Sequence, residues 1–353
     1  MKKAVRFILF ITILVVCVLF AQTKLCYDDE LKTQHFIKDY YELDGNTVDV
    51  ICTGTSAVQR GWLVPTVYEK YGIASYSLAS ASQPFCLTKN IMKEALKTQQ
   101  PKLFLIDIRS AIETPSELEE AKVRRVTDNM KESLNRIDAI NTLREFASHG
   151  KNDIDTGDIS LYVKIARYHT LADPNNRPED KGVEYFGGFA YYEPSNFNIV
   201  PMQYVGIVND RAPINKYAEA ALNDLLDYCD SIDAEVLFTL IPYAGEEEEI
   251  AKVNTAIDIV KARGYECLNF LQEPLRSEIG VDFDKFFYNE RHTNLYGSNQ
   301  YINYIAAYIQ DKYVIPDHRG DDRYNLWQNY ADCFNKETKS KMKAMYRELG
   351  IEQ

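Results

Sequence analysis

Five short runs of β-branched, aliphatic and aromatic residues recur along the chain, each followed by a longer stretch with helical spacing. This alternation constrains the fold more than any other feature. The runs are 48–52 (VDVIC), 74–78 (ASYSL), 103–108 (LFLIDI), 235–241 (EVLFTLI) and 266–270 (ECLNF). Near-continuous apolar runs are what strands covered on both faces require. Strands separated by helices imply parallel pairing, because a parallel neighbour is reached only through a crossover. Helical periodicity falls on 58–71, interrupted near Pro65, on 90–98 ahead of Pro101, and on 217–229, 247–263 and 298–311. The sequence therefore predicts an α/β domain with a central parallel sheet and helices on both faces.

The N-terminus adds a second constraint. Lys2, Lys3 and Arg6 lead into an apolar run over 7–21, broken only by Thr12, and the chain turns polar at Gln22. That is a membrane-targeting segment. No small-x-small pair precedes Gln22, and Val16 before Cys17 is bulky for a lipoprotein cleavage site, so an uncleaved anchor is expected rather than a signal peptide. The basic flank places the rest of the chain outside the cytoplasm. The expected organisation is an anchor or signal segment over 1–26, a stalk-like connector over 27–46, the α/β domain over 47–315 and a charged tail over 316–353. Within the domain, 117–210 reads as an insertion, with charged, solvent-facing helices over 117–147 and an irregular, aromatic cap over 152–210.

With 52 acidic against 40 basic residues and a formal net charge of -12, the chain lacks the basic face that phosphates need, which sets nucleic acid aside. Seven scattered cysteines without a CxxC pair make neither a disulfide scaffold nor a thiolate zinc site. Cys52 and Cys267 fall inside expected strands and read as buried free thiols. The histidines share no helical or ribbon spacing, so no metal site and no cofactor is expected.

The first strand ends in Gly54, Thr55 and Ser56. Ligands of parallel α/β sheets bind beyond the carboxyl ends of the strands, and a serine at the opening of a helix either caps it or serves as a nucleophile beside free backbone N–H groups. A nucleophile needs a base. Of the five histidines, His35 lies in the connector, His149 at a helix end, His169 in the insertion and His318 in the tail. His292, in FFYNERHTNLYGS, stands on a loop just before the last helix of the domain, where it can reach the same crevice.

GTS after the first strand, with a histidine three residues beyond Asn289 and shortly before the final helix, resembles the SGNH hydrolase superfamily. The chain is most similar to its membrane-anchored, DltD-like branch. YSLASASQ, PKLFLIDIR, ARYHTL, FGGF and DHRGDDRYNLW extend that likeness over most of the chain. The resemblance implies a three-layer, flavodoxin-like domain carrying an acyl-transfer site. Ser56 would be the nucleophile, His292 the base and Asn289 its orienting partner. Gly54 and Thr55 would shape the turn, backbone N–H groups of Ser56 and Ser82 would receive the oxyanion, and Gln83 and Arg109 would line the substrate side. The substrate implied is an acylated cell-envelope glycopolymer, a teichoic acid or a polysaccharide, and the partner implied is a membrane acyltransferase.

Three positions depart from the family pattern. Asn289 stands where the superfamily has an acid, Ser82 where it has a glycine, and the region of Ala111 where it has an asparagine. An amide orients imidazole but brings no charge, a change that costs on the order of 10⁴ in a serine triad. Asp282, Asp284 and Glu290 are the nearby acids that would substitute. Arg109 would replace the missing amide or clamp an anionic substrate group. Two other readings stay open: a catalytically weakened relative that binds glycan or assists a membrane acyltransferase, and a plain α/β binding domain whose serine caps a helix.

Overall fold

The computed structural model describes residues 2–25, 35–168 and 183–351. Helices α1 (Lys2–Leu25) and α2 (His35–Tyr40) precede strand β1 (Val50–Thr53). Two short helices, α3 (Ser56–Gly61) and α4 (Val64–Tyr71), lead to β2 (Ser75–Ser77), and α5 (Thr88–Ala95) leads to β3 (Leu103–Asp107). The insertion holds α6 (Glu120–Thr127), α7 (Leu134–Ala147), α8 (Ile165–Tyr168), an antiparallel hairpin of β4 (Glu184–Phe186) and β5 (Phe189–Tyr191), and α9 (Glu193–Asn196). Next come α10 (Lys216–Cys229), β6 (Glu235–Leu240), α11 (Glu247–Ala262), β7 (Glu266–Asn269) and α12 (Leu275–Glu278). A small hairpin of β8 (Phe287–Asn289) and β9 (His292–Thr293) runs into α13 (Leu295–Tyr313), and α14 (Asn325–Glu348) completes the described chain.

Strands β2, β1, β3, β6 and β7 form one parallel sheet in that order. Every residue of β1, β2 and β3 is buried. Successive side chains of a strand point to opposite faces, so both faces of the sheet are covered. Helix α4 packs with α13 and α14, while α5 packs with α7 and α10. The chain crosses from β1 to β2 on one side and then to β3 on the other, which opens a crevice beyond the carboxyl ends of β1 and β3. At the β2 edge the Ser77 N–H donates to Gly187 O at 2.8 Å, so the turn of the β4–β5 hairpin closes what would be an open edge. A Cβ on Gly188 (φ +79°) would fall 2.0 Å from Ser77 O, and only glycine permits that approach.

The break expected near Pro65 lies at Trp62 and Leu63. Pro65 sits in the first turn of α4, where its missing N–H costs nothing. Helix α1 is long and apolar enough to cross a membrane, with a mean hydropathy of 2.8 over its most apolar window within Lys2–Ala21.

Three regions differ from expectation. The connector is not a stalk throughout: Ile37 and Tyr40 of α2 are fully buried, and Tyr40 Oη donates to Ala95 O at 2.9 Å. The helices of the insertion are not simply solvent-facing, because Arg124, Arg136 and Asp128 lie in its core. Arg124 bonds Glu120, Asp128, Asp158 and Ser160, and Arg136 reaches the carbonyls of Thr127, Leu161 and Tyr162. Charges buried in this way are tolerable because each one is paired.

The charged tail folds back on the domain. Helix α14 packs on α4 and buries Trp327, Ala331, Phe334, Thr338 and Met345, a stripe at helical spacing hidden among charged neighbours. Trp327 Nε1 donates to Ser75 O at 2.9 Å. Ahead of it His318 Nε2 meets Asp49 Oδ2 at 2.6 Å, and Arg323 donates to the carbonyls of Gly45 and Asn46. We expect Trp327→Ala to lower the unfolding free energy by about 3–5 kcal/mol and Lys336→Ala, on the exposed face, to change it by less than about 0.5 kcal/mol, as measured by chemical denaturation.

Candidate active site

Strand β1 ends at Thr53, and the chain turns at Gly54 with φ +153°. A Cβ there would lie 2.8 Å from Val58 Cγ2 and 3.0 Å from Asp107 Cβ, so the turn requires glycine. Thr55, not Ser56, caps α3: its Oγ1 accepts the Ala57 N–H at 3.4 Å. The same oxygen accepts from Arg109 Nη2 at 2.9 Å. With the cap supplied by its neighbour, Ser56 occupies the first helical position and its hydroxyl is released for another partner. That partner is His292, whose Nε2 lies 2.7 Å from Ser56 Oγ.

His292 is held by the β8–β9 hairpin, in which it pairs with Asn289 across the turn. Asn289 Oδ1 accepts the Arg291 N–H at 3.0 Å and meets His292 Nδ1 at 2.8 Å. A backbone N–H can only donate, so the amide atom facing it is the carbonyl oxygen. That oxygen then requires a proton on Nδ1, which leaves the Nε2 lone pair facing the serine hydroxyl. Asn294 fixes the loop from below by capping α13, its Oδ1 accepting the Gly297 N–H at 3.0 Å while its Nδ2 donates to Lys285 O at 2.8 Å. The Tyr288 ring lies parallel to the imidazole at 5.3 Å between centroids, and Arg60, one turn along α3 from Ser56, donates to Tyr288 Oη at 2.9 Å.

The surroundings of the imidazole are cationic. Burial, followed by the guanidinium groups of Arg109, Arg60 and Arg291, lowers the His292 pKa to about 3. Among the described residues no carboxylate bonds the ring. Asp282 accepts the Asp284 N–H and pairs with Lys285, and neither Asp284 nor Glu290 reaches His292 through its side chain. Asp107, buried at the end of β3, accepts the backbone N–H groups of Arg109 and Ile241 instead. Arg109 is not a free clamp: Nη1 donates to Arg291 O at 2.7 Å, Nη2 to Thr55, and its guanidinium lies 5.1 Å from the Tyr243 ring centroid. It is a strut that ties the serine turn to the histidine loop.

Ser82 adopts φ +51°, the left-handed conformation for which glycine is best suited. Among the described residues, neither the Ser56 nor the Ser82 N–H donates to another group, which leaves two backbone donors for an oxyanion. Gln83 Nε2 donates to Thr53 Oγ1 at 3.1 Å, while among the described residues its buried Oε1 has no partner. Thr55, Ser56, Ser82, Gln83, Arg109 and His292 line one cleft of about 920 Å³. Its far walls come from the start of the insertion, the segment 213–215 and the first turn of α11.

The remaining histidines stand elsewhere. His149 stacks on Tyr217, His318 pairs with Asp49, and neither lines the cleft. His169 lies outside the described residues, as does the side chain of His35. Sequence reasoning missed Arg60, Tyr288 and Arg291. The i, i+4 spacing of Ser56 and Arg60 carried a signal for the first, while Tyr288 and Arg291 sit beside Asn289 and His292 without a distinguishing pattern.

Comparisons with protein-family models, curated proteins and solved structures return no match. The site therefore rests on its own geometry.

A histidine whose pKa is lowered keeps its neutral form as the pH falls. We expect the ¹⁵N resonances of His292 to hold the Nδ1–H tautomer without titrating between about pH 8 and 5, whereas an unperturbed imidazole titrates near 6.5. A midpoint near 6.5 contradicts this electrostatic picture.

Proposed function

We propose that the protein is an extracytoplasmic serine esterase or O-acyltransferase that acts on acyl groups of a cell-envelope glycopolymer, a teichoic acid or a polysaccharide. The observation that carries this reading is the chain of contacts from Asn289 Oδ1 to His292 Nδ1 and from His292 Nε2 to Ser56 Oγ, at 2.8 and 2.7 Å. In the first step Ser56 Oγ attacks the ester carbonyl and His292 Nε2 takes its proton. The N–H groups of Ser56 and Ser82 receive the developing oxyanion. His292 then returns the proton to the leaving alcohol, and an acyl-serine remains. In the second step His292 takes a proton from water or from an acceptor hydroxyl, which attacks the acyl-serine, and then gives that proton to the departing Ser56 Oγ, regenerating the free serine and neutral imidazole.

The sheet order, in which the second strand along the chain lies outside the first and the others follow on its opposite side, is that of flavodoxin-like domains. It supports the three-layer, SGNH-type assignment. Helix α1 supports a single-pass anchor with its basic end inside and the domain outside. A membrane acyltransferase is then the natural supplier of acyl groups.

One observation favours the second reading, a weakened relative. The imidazolium formed in each step meets the guanidinium groups of Arg60, Arg109 and Arg291 and no carboxylate, so the proton transfer is uphill. Fluorophosphonate labelling separates the two. Wild type is expected to label at Ser56, Ser56→Ala not at all, and His292→Ala at least about 10²-fold more slowly. Asn289→Asp supplies the missing charge and is expected to raise the esterase rate at least about tenfold. Absence of labelling in the wild type contradicts the acyl-serine reading.

A further inference from the structure

The cleft that holds Ser56 and His292 continues past Arg109 between two walls. One is formed by Glu113, Glu117, Glu119 and Lys122, and the other by 213–215 with Glu246, Glu248, Glu249 and Lys252. A polyanionic ligand such as a phosphodiester polymer needs a surplus of cations over carboxylates. Four cationic side chains line the cleft against six acidic ones, and each cation already holds at least one acceptor. Arg109 bonds Thr55 Oγ1 and Arg291 O, Arg291 pairs with Glu249, Lys122 with Glu119 at 3.0 Å, and Lys252 with Glu248 at 2.8 Å.

Acceptors are in surplus. Gln83 is 1% exposed, and among the described residues its Oε1 has no partner, a buried lone pair that costs stability until a donor satisfies it. Glu113 gives Oε2 to the Phe85 N–H at 3.2 Å, and among the described residues its Oε1 has no partner. Glu246 pairs with no cation among the described residues, and Glu117 caps Thr114 and attracts Lys252. Burial raises the Glu113 carboxyl to about 8, so at neutral pH it keeps its proton and donates as well as accepts.

We infer that the outer cleft is a subsite for a neutral, hydroxyl-rich glycan. Gln83 and Glu113 read its hydroxyl groups, and the excess of carboxylates over cations along the two walls turns phosphodiester polymers away. This deepens the proposed function, on which it rests, by selecting the polysaccharide over the teichoic acid as the polymer. A site built to bond hydroxyl groups discriminates strongly against ligands that lack them, because its own polar atoms are then left unpaired. Glu113 has a second task. By holding the Phe85 N–H it ties the loop that carries Ser82 and Gln83 to the turn after β3.

The test uses full-length Ser56→Ala protein in nanodiscs, so that binding is read without chemistry. Neutral gluco-, manno-, galacto- and xylo-oligosaccharides are compared with a glycerol-phosphate oligomer of similar length by saturation-transfer NMR and calorimetry. At least one neutral oligosaccharide is expected to bind about tenfold or more tightly than the glycerol-phosphate oligomer. Glu113→Ala is expected to weaken that binding about tenfold. Glu246→Lys, at an exposed position without a side-chain cap bond, is expected to raise affinity for the glycerol-phosphate oligomer, and more so at low salt. Binding of the glycerol-phosphate oligomer as tight as or tighter than that of every neutral oligosaccharide overturns the inference, as does failure of all the neutral oligosaccharides to bind. Fluorophosphonate labelling of the wild type is run in parallel. Labelling without glycan binding rejects the subsite and keeps the acyl-serine, whereas glycan binding without labelling does the reverse.

Discussion

A single hydrogen bond, between Ser56 Oγ and His292 Nε2, joins two parts of the chain 236 residues apart. Much of the local structure on either side serves to bring those atoms together. On the serine side, Gly54 permits the turn that a Cβ would block, and Thr55 takes over the capping task that otherwise engages a serine at this position. On the histidine side, the β8–β9 hairpin and the cap at Asn294 set the loop on the sheet. Arg109 spans both sides, bonded to Thr55 Oγ1 and to Arg291 O. Hydrogen bonds from a charged group contribute about 1.5–3 kcal/mol each, so this strut holds the geometry more firmly than two neutral bonds would.

The electrostatics of the site run opposite to those of an ordinary serine triad. There a carboxylate stabilises the imidazolium. Here an amide orients the ring while three guanidinium groups oppose its protonation. The same positive field favours the anionic tetrahedral intermediate, so the arrangement weakens the base and strengthens the oxyanion site together. Under the proposed function, catalysis would lean on stabilising developing charge more than on proton transfer, with a low rate that is insensitive to acid.

The five strands were legible because each is largely buried on both faces and so reads as a short, mostly apolar run, and the helices between them because their periodicity changes to 3.6. Ser56, His292 and Asn289 were legible through strand ends and a loop position combined with a family likeness. The tail misled because the buried stripe of α14, from Trp327 to Met345, is spaced among lysines and glutamates that dominate its composition. The insertion misled for the converse reason: Arg124, Arg136 and Asp128 look like surface charges in sequence, and only tertiary pairing makes them a core. Arg109 was placed correctly at the crevice, but its role depends on where Thr55 and the Arg291 carbonyl lie, which no local pattern encodes. The walls of the cleft come from segments about ninety residues or more apart, so no local pattern announces them.

Under the proposed function the hydroxyl of Ser56 forms a covalent acyl intermediate with His292 as its proton acceptor. Intact-mass spectrometry of full-length protein, quenched in acid after brief exposure to an activated acetyl ester, tests it most directly. A mass gain of one acetyl group, mapped to the peptide containing Ser56, is expected, with loss of that gain in His292→Ala. Acetylation spread over lysines with Ser56 unmodified, or equal acetylation of Ser56 in the presence and absence of His292, contradicts it.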